Sequence, residues 1–318
     1  MRDDELQNIL SKVFENNIIL EKDNIQVDGL SFQRNENFIN FDSVESNIDQ
    51  EKISDTFGKE WLEYSDILQE YNDEFENYFD VVPEKILSEK ILVLDVGCGK
   101  GRWSYEFLKR NPKAIVVCLD ISDAIIAAQK NLELFSNRVI FLKADITKLS
   151  IRKMSFDFIF SLGVIHHIPG NLYENLRFVT NLSNRSLIYL YYSLDNRGFI
   201  YKSIFSVVNL MRIVLSSISS EALRKFISKV ILFFLYLPLI LIGKSLRFLH
   251  FPYSSLPLNY YVQDFSLKRI EQDVYDRFFT HIEKRISRQE IINFSQSNDM
   301  KANISDSQPF WHFYLEKN

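Results

Sequence analysis

The hydrophobic and polar positions divide the chain into stretches of different rhythm. From residue 91 onward, continuous apolar runs alternate with amphipathic ones. Residues 91–96 are apolar but for Asp95, 115–119 end at Asp120, and the runs 139–142, 156–161 and 187–193 follow. Residues 102–110 have helical spacing and stop at Asn111-Pro112, where a proline ends a helix. Ser122 or Asp123 is placed to cap a second helix running to Phe135. Strand-length apolar runs separated by helices predict a parallel α/β sheet covered on both faces. After residue 193 the alternation stops. Residues 199–250 read as strongly apolar helix, and only near the end do a helix over 287–296 and strands over 302–305 and 310–316 resume the pattern. The stretch 194–286 therefore reads as a helical insertion, since a structureless loop of that length is rare inside a compact domain. Upstream, 18–41 reads as short strands around Asp28-Gly29. Trp61, Tyr64, Leu68, Tyr71, Phe75 and Tyr78, three and four apart, mark one or two amphipathic helices over 57–80.

Composition changes this picture little; charge changes it more. Hydrophobic residues at 46% and charged residues at 25% are ordinary globular values, which excludes disordered and fibrous classes. Two cysteines are too few for a disulfide framework or a four-thiolate zinc site and suit a reduced, cytoplasmic chain. The acidic start, Met1-Arg-Asp-Asp-Glu-Leu6, lacks the apolar core of a signal peptide. The net charge of −5 is unevenly spread. Residues 1–90 hold 23 acids and 8 bases, whereas 199–250 hold one acid, Glu221, and seven bases. The acidic front argues against a dedicated nucleic-acid binder.

Only nine glycines occur in 318 residues, and three of them, Gly97, Gly99 and Gly101, fall within five positions at a strand-to-helix junction. Glycine there lets backbone approach a ligand, and the helix N-terminus offers unbonded N–H groups. A dinucleotide fingerprint would need a third glycine where Arg102 stands, and a phosphate-binding P-loop would need G-K-[ST]. The segment Asp95-Val-Gly97-Cys-Gly99-Lys-Gly101 instead resembles motif I of the class I S-adenosylmethionine-dependent methyltransferases, D-x-G-x-G-x-G. The resemblance continues in order through Asp120, Lys143-Ala-Asp145-Ile146, and the run from Phe156 through Ser161-Leu162 to His166-His167-Ile-Pro169. It covers 91–193 well and 287–318 loosely, and it is nearest the small-molecule, methyltransferase-11/25-like branch with a long helical cap.

The resemblance implies a Rossmann-like seven-stranded class I methyltransferase sheet with helices on both faces. It also implies five regions: an N-terminal extension (1–50), a helical lid (51–90), the cofactor-binding core (91–193), a mainly helical cap insertion (194–286), and a C-terminal helix and strands completing the sheet (287–318). S-adenosylmethionine is the cofactor it implies, held by the loop Gly97, Cys98, Gly99 and Gly101 with Asp95. Asp120 and Ile121 would meet the ribose, Asp145 and Ile146 the adenine, and Ser161 and Leu162 the loop after the fourth strand. A carboxylate at Asp120 can accept two hydrogen bonds at once.

His166 and His167 are the candidate catalytic residues, because a methyl acceptor oxygen benefits from a base that titrates near neutral pH. The plainer reading is that the pair shapes its loop. No metal site is expected, since adjacent histidines point apart and nothing completes a ligand set. Cys98 and Cys118 read as small packing residues, and His312 as a packed residue near the last strand. Residues 18–41 are similar to the zinc ribbon that precedes some bacterial methyltransferase cores, here without cysteines. Trp61 and Tyr64 line the lid or pack it.

The run 230–242 is thirteen apolar residues, interrupted by Pro238. It is shorter than the ~20 residues a bilayer needs, so a transmembrane span is not expected. Two readings stand for it: a buried cap helix, or a surface over 226–248 that meets membrane or a lipidic substrate. Arg224, Lys225, Lys229, Lys244 and Arg247 flank it. The expected function is methyl transfer to a small-molecule acceptor chosen by the cap, with O-methylation in bacterial secondary or cell-surface metabolism preferred. N- or C-methylation of a small or quinone-like acceptor is the alternative, and a catalytically inactive partner subunit is another. A nucleic-acid substrate is disfavoured by the lack of an N-P-P-Y-type sequence after the fourth strand.

Overall fold

The apolar runs become strands. In a computed structural model of the protein, β5 (Leu92–Val96), β7 (Val139–Lys143) and β8 (Phe158–Leu162) are buried along nearly their whole length, as is β6 (Ile115–Asp120). Sheet centre buried on both faces has no use for an alternating polar residue. The structure describes residues 1–41, 54, 58, 61–62, 65–253, 256–262, 265–280, 282–307 and 310–318. They divide into two compact units, one of Met1–Asp195 with Ile282–Asn318, the other of Asn196–His281.

In the first unit the meander β1 (Ile18–Leu20), β2 (Asn24–Val27), β3 (Leu30–Asn35) and β4 (Phe38–Asn40) precedes the core strands. β9 (Arg185–Leu190), β10 (Met300–Ile304) and β11 (Trp311–Lys317) follow them. One 11-stranded sheet results, in the order β1-β2-β3-β4-β7-β6-β5-β8-β9-β11-β10. From β7 to β10 this is the seven-stranded class I methyltransferase order. β7, β6, β5, β8 and β9 run parallel, and β11 and β10 return antiparallel. Two apolar clusters cover the two faces. The helices α1 (Asp3–Val13), α2 (Glu70–Phe79), α3 (Arg102–Arg110), α4 (Ala124–Asn131), α5 (Leu172–Thr180) and, late in the chain, Arg288–Ser297 supply the covering side chains.

The N-terminal strands are not a separate ribbon. β4 pairs parallel with β7, Phe38 opposite Phe141, so the meander extends the main sheet. Its hairpin turns at Asp28 (φ 51) and Gly29 (φ 82), where the right-handed strand twist calls for two left-handed residues. α1, which is not among the expected elements, buries Leu6, Leu10 and Val13 against the meander. Of the helices expected over 57–80, α2 is described from Glu70; Tyr64 and much of the lid lie outside the described residues. The helix expected to reach Phe135 ends at Asn131 and gives way to a tighter turn through Arg138.

The second unit packs α6 (Phe199–Ser216), α7 (Glu221–Ile231), α8 (Leu237–Phe248) and α9 (Leu267–Phe279) around an apolar core that includes Ile231, Tyr236, Val274 and Phe278. Pro238 does not interrupt the run as the sequence suggested. One turn of π-helix, Leu232–Tyr236, joins α7 to α8, and the Leu237 N–H bonds the Leu232 carbonyl five residues back. The wider turn lies just before Pro238, and the helix continues unbroken from Glu221 to Phe248, 28 residues. By length and composition that helix is long enough to cross a membrane, which corrects the length argument drawn from the thirteen-residue run. We number the helix Arg288–Ser297 α10.

Candidate functional site

The strands deliver their C-terminal ends to one edge of the sheet, and the expected site residues gather there. After β5 the chain turns through Gly97 (φ 73), Gly99 (φ 52) and Gly101 (φ 78), all left-handed. The Gly97 and Cys98 N–H groups donate to the Leu119 carbonyl at 2.7 and 3.0 Å, which ties the turn to the end of β6. A Cβ on Gly97 would stand 2.4 Å from Val164 in the loop after β8, so only glycine permits that approach. Val164 immediately precedes the short turn Ile165–His167, which brings the histidine loop alongside the glycine turn.

Asp120 closes β6 and braces this corner. Its Oδ2 accepts the Gly99 N–H at 2.7 Å, and its Oδ1 accepts the Ser122 N–H at 2.8 Å and hydroxyl at 2.7 Å. Burial pushes its pKa up, against the pull of those hydrogen bonds. Oδ1 is spent on Ser122, whereas Oδ2 keeps a second lone pair for a hydroxyl. Asp95 lies deeper, and the Ser104 hydroxyl of α3 donates to its Oδ2 at 2.6 Å. Burial, reinforced by the nearby Asp120 charge and opposed by Ser104 and Arg102, pushes the Asp95 pKa up to about 8.

Arg102, passed over in the sequence as the residue replacing a third glycine, is part of this corner. Its guanidinium stacks on Trp103 at 4.4 Å and on Trp61 at 4.9 Å, and its buried Nη1 has no hydrogen-bond partner among the described residues. The Trp61 ring also lies 3.6 Å from where a Gly99 Cβ would be. Two buried carboxylates and an orphaned guanidinium N–H fit a ligand that brings a cation, hydroxyls and a carboxylate. S-adenosylmethionine carries all three, and its sulfonium supplies an activated methyl group.

The remaining expected residues fall around this corner. Ile121 follows Asp120, and its carbonyl accepts the Ser54 hydroxyl at 3.1 Å. Asp145 caps the turn Ile146–Lys148, its Oδ1 accepting from the Thr147 N–H and hydroxyl at 2.9 and 2.8 Å. Ser161 donates to the Val96 carbonyl at 3.2 Å and ties β8 to β5; Leu162 ends β8, buried. Cys98 and Cys118 are buried free thiols, and burial pushes the Cys98 pKa well up.

The two histidines differ. His166 is wholly buried, with its ring 4.1 Å from Tyr191 and 4.0 Å from His167, and neither ring nitrogen has a hydrogen-bond partner among the described residues. Burial, with the charges of His167, Arg285 and Lys284, holds its pKa well below the usual histidine value. His167 Nδ1 faces the Ile282 carbonyl, which places the proton of the neutral ring on Nδ1 and the basic lone pair on Nε2. His312, opposite Tyr189 at the start of β11, bonds Asp80 through Nε2 at 2.7 Å. Burial lowers the His312 pKa although Asp80 opposes it. Burial would raise Asp80, but hydrogen bonds from Ser307, Ser305 and His312 outweigh it and hold the pKa down. Sequence inspection could not pair these two, which stand 232 residues apart. Among the described residues no group of three His, Cys, Asp or Glu side chains could hold a metal ion.

The core of the chain is similar to known methyltransferases. Residues 93–181 match the family model described as a methyltransferase domain. A malonyl-[acyl-carrier protein] O-methyltransferase of Legionella pneumophila is 29% identical over 108 residues, 33% of this chain and 36% of that protein. The match thus spans about a third of that relative's length. Human N-acetylserotonin methyltransferase, solved with S-adenosylmethionine, aligns over 87% of this chain and 61% of its own at 12% identity and a TM-score of 0.48. Magnesium protoporphyrin IX methyltransferase from Synechocystis PCC 6803 aligns over 86% and 99% at 13% identity and a TM-score of 0.46.

Proposed function

We propose that this chain, whose core is a class I S-adenosylmethionine-dependent methyltransferase domain, transfers the methyl group to an oxygen of a small acceptor. The observation that carries the oxygen reading is His166. It is a buried imidazole with both ring nitrogens unpartnered, in the loop that abuts the glycine turn. With its pKa held low, the ring is neutral at pH 7 and serves as a hydrogen-bond partner and weak base. Two cationic side chains act on the ring by charge: Arg285, which is ion-paired with Glu283, and Lys284, whose Nζ donates to the Ile168 carbonyl.

A weak base among cations suits an acceptor that gives up its proton readily, a phenolic or carboxylic oxygen. The charge of Lys284 favours the oxyanion, and a phenolic proton would pass to a His166 ring nitrogen as the oxygen–methyl bond forms and the methyl–sulfonium bond breaks, leaving a neutral thioether. A carboxylate acceptor has no proton to pass. Orientation and exclusion of water supply the rest of the acceleration. That the Legionella relative is an O-methyltransferase supports the same reading.

The test begins with a metabolite extract and methyl-labelled S-adenosylmethionine. Label should appear on phenolic or carboxylic oxygen. With the acceptor in hand, His166→Asn should slow turnover roughly 10²-fold for a phenolic acceptor while cofactor affinity holds. Label on nitrogen or carbon overturns the oxygen reading. An unchanged rate in His166→Asn with a phenolic acceptor removes His166 from the chemistry.

A further inference from the structure

The unit Asn196–His281 is built unlike the first. Its long helix buries one face, with Ser228, Leu232, Ile240 and Gly243 turned inward, and presents an apolar face outward. Phe226, Val230 and Phe234 each stand two positions from an inward residue, which on a helix is about 200° around, the opposite side. Leu241 and Ile242 repeat the relation beyond the π-turn. Phe226 is 65% exposed, Phe234 81% and Phe248 82%. α6 repeats the pattern, exposing Val207, Leu210, Met211 and Val214 at helical spacing. Contiguous apolar surface of this kind marks an interaction site.

Charge says which kind. Residues 199–250 hold seven bases and one acid, and that acid, Glu221, is paired with Lys225 at 3.0 Å. Lys229, Lys244 and Arg247 are exposed beside the apolar face, toward both ends of the helix. Two copies of this surface brought together would oppose like charges, whereas an anionic bilayer offers phosphates to the bases and acyl chains to the phenylalanines.

We propose that this unit docks on the surface of an anionic phospholipid bilayer, with the helix Glu221–Phe248 lying in the plane of the interface. The inner face argues against spanning. It packs on α9, which carries Arg269, Glu271, Asp273, Asp276 and Arg277, and the Tyr236 hydroxyl donates to Asp273 at 3.5 Å midway along the helix. A spanning helix would draw those charges into hydrocarbon at high cost; one lying in the interface leaves them on the watery side.

Flotation of the full chain tests this with two vesicle types, phosphatidylcholine alone and equal parts phosphatidylcholine and phosphatidylglycerol. The wild type should float with the mixed vesicles and at least tenfold less with the neutral ones. Phe226→Glu with Phe234→Glu should abolish flotation, and Lys229→Glu with Lys244→Glu should remove the preference for anionic lipid; circular dichroism confirms that each variant folds. Equal flotation of the wild type and the phenylalanine variant, or no flotation with either vesicle, overturns the proposal. So does a dimer in solution that the phenylalanine variant dissociates, which would make the face a contact between copies. Resistance to alkaline extraction together with protection of a whole helix from protease would mean spanning and overturns the in-plane arrangement.

Discussion

Asp95 and Asp120 occupy one buried corner and do different work. Asp120 holds the Gly99 N–H and both donors of Ser122, so its removal strands buried polar groups as well as a ligand contact. Asp120→Ala should weaken S-adenosylmethionine binding at least tenfold, about 1.4 kcal/mol, read by calorimetry. It should also cost about 1–3 kcal/mol of folding stability, read by denaturant titration. Asp95 governs a pH dependence. Its pKa moves from 3.8 to about 8 on folding, so the folded chain keeps a proton that the unfolded chain releases. That contribution to stability is full below about pH 4 and is lost as pH rises toward about 8. Denaturation midpoints should fall over this window, and Asp95→Asn should flatten the fall. A cationic ligand draws on the carboxylate, so binding below about pH 8 should release a proton, counted by calorimetry in buffers of different ionisation heat. The two acids were legible because Asp95 breaks one apolar run just before the glycine turn and Asp120 ends the next run after it. Arg102 was not, because its meaning comes from Trp61 and Trp103 packed against it. The Asp80–His312 pair was hidden by sequence distance alone.

Elements whose cause is local were read most closely. α10 opens on Ser287, whose hydroxyl accepts the Glu290 N–H while Glu290 reaches back, a capping box written in four consecutive residues. Ser287→Ala should cost about 1 kcal/mol, seen as a lowered thermal midpoint with methyl transfer unchanged. Elements whose cause is distant were read poorly. The parallel pairing of β4 with β7 depends on residues a hundred positions apart, so 18–41 looked like an independent ribbon. The long helix was underestimated because a proline normally ends one, and the π-turn just before Pro238 has no short sequence signature. Gly243 shows how tightly the second unit is packed. A Cβ there would meet Val262 Cγ2 at 2.4 Å. Gly243→Ala should therefore destabilise by about 1–3 kcal/mol, and Val262→Ala in the same chain should recover part of the loss, a coupling that a double-mutant cycle measures.

Across the whole chain, acidic and basic character are partitioned by region, with 23 acids and 8 bases in residues 1–90 and seven bases against one acid in 199–250. The exposed apolar faces of the second unit predict that light scattering of the purified protein rises with concentration and falls on adding a mild non-ionic detergent; identical scattering in both would count against those faces being sticky. The meander has a consequence for how the chain is made. Phe41 donates to the Lys143 carbonyl, Glu15 to that of Ser150, and Arg152 to that of Val13, so the first 41 residues are fastened to a segment near 150. During synthesis at about 5–20 residues per second, α1 and β1–β4 leave the ribosome well before the segment near 150 to which they bond. They must wait several seconds for Ile140, Leu142 and Ile151 to follow before the core they share can close. These residues are thus made well before their partner and can settle only after it, and chaperone dependence in the cell should track this interval.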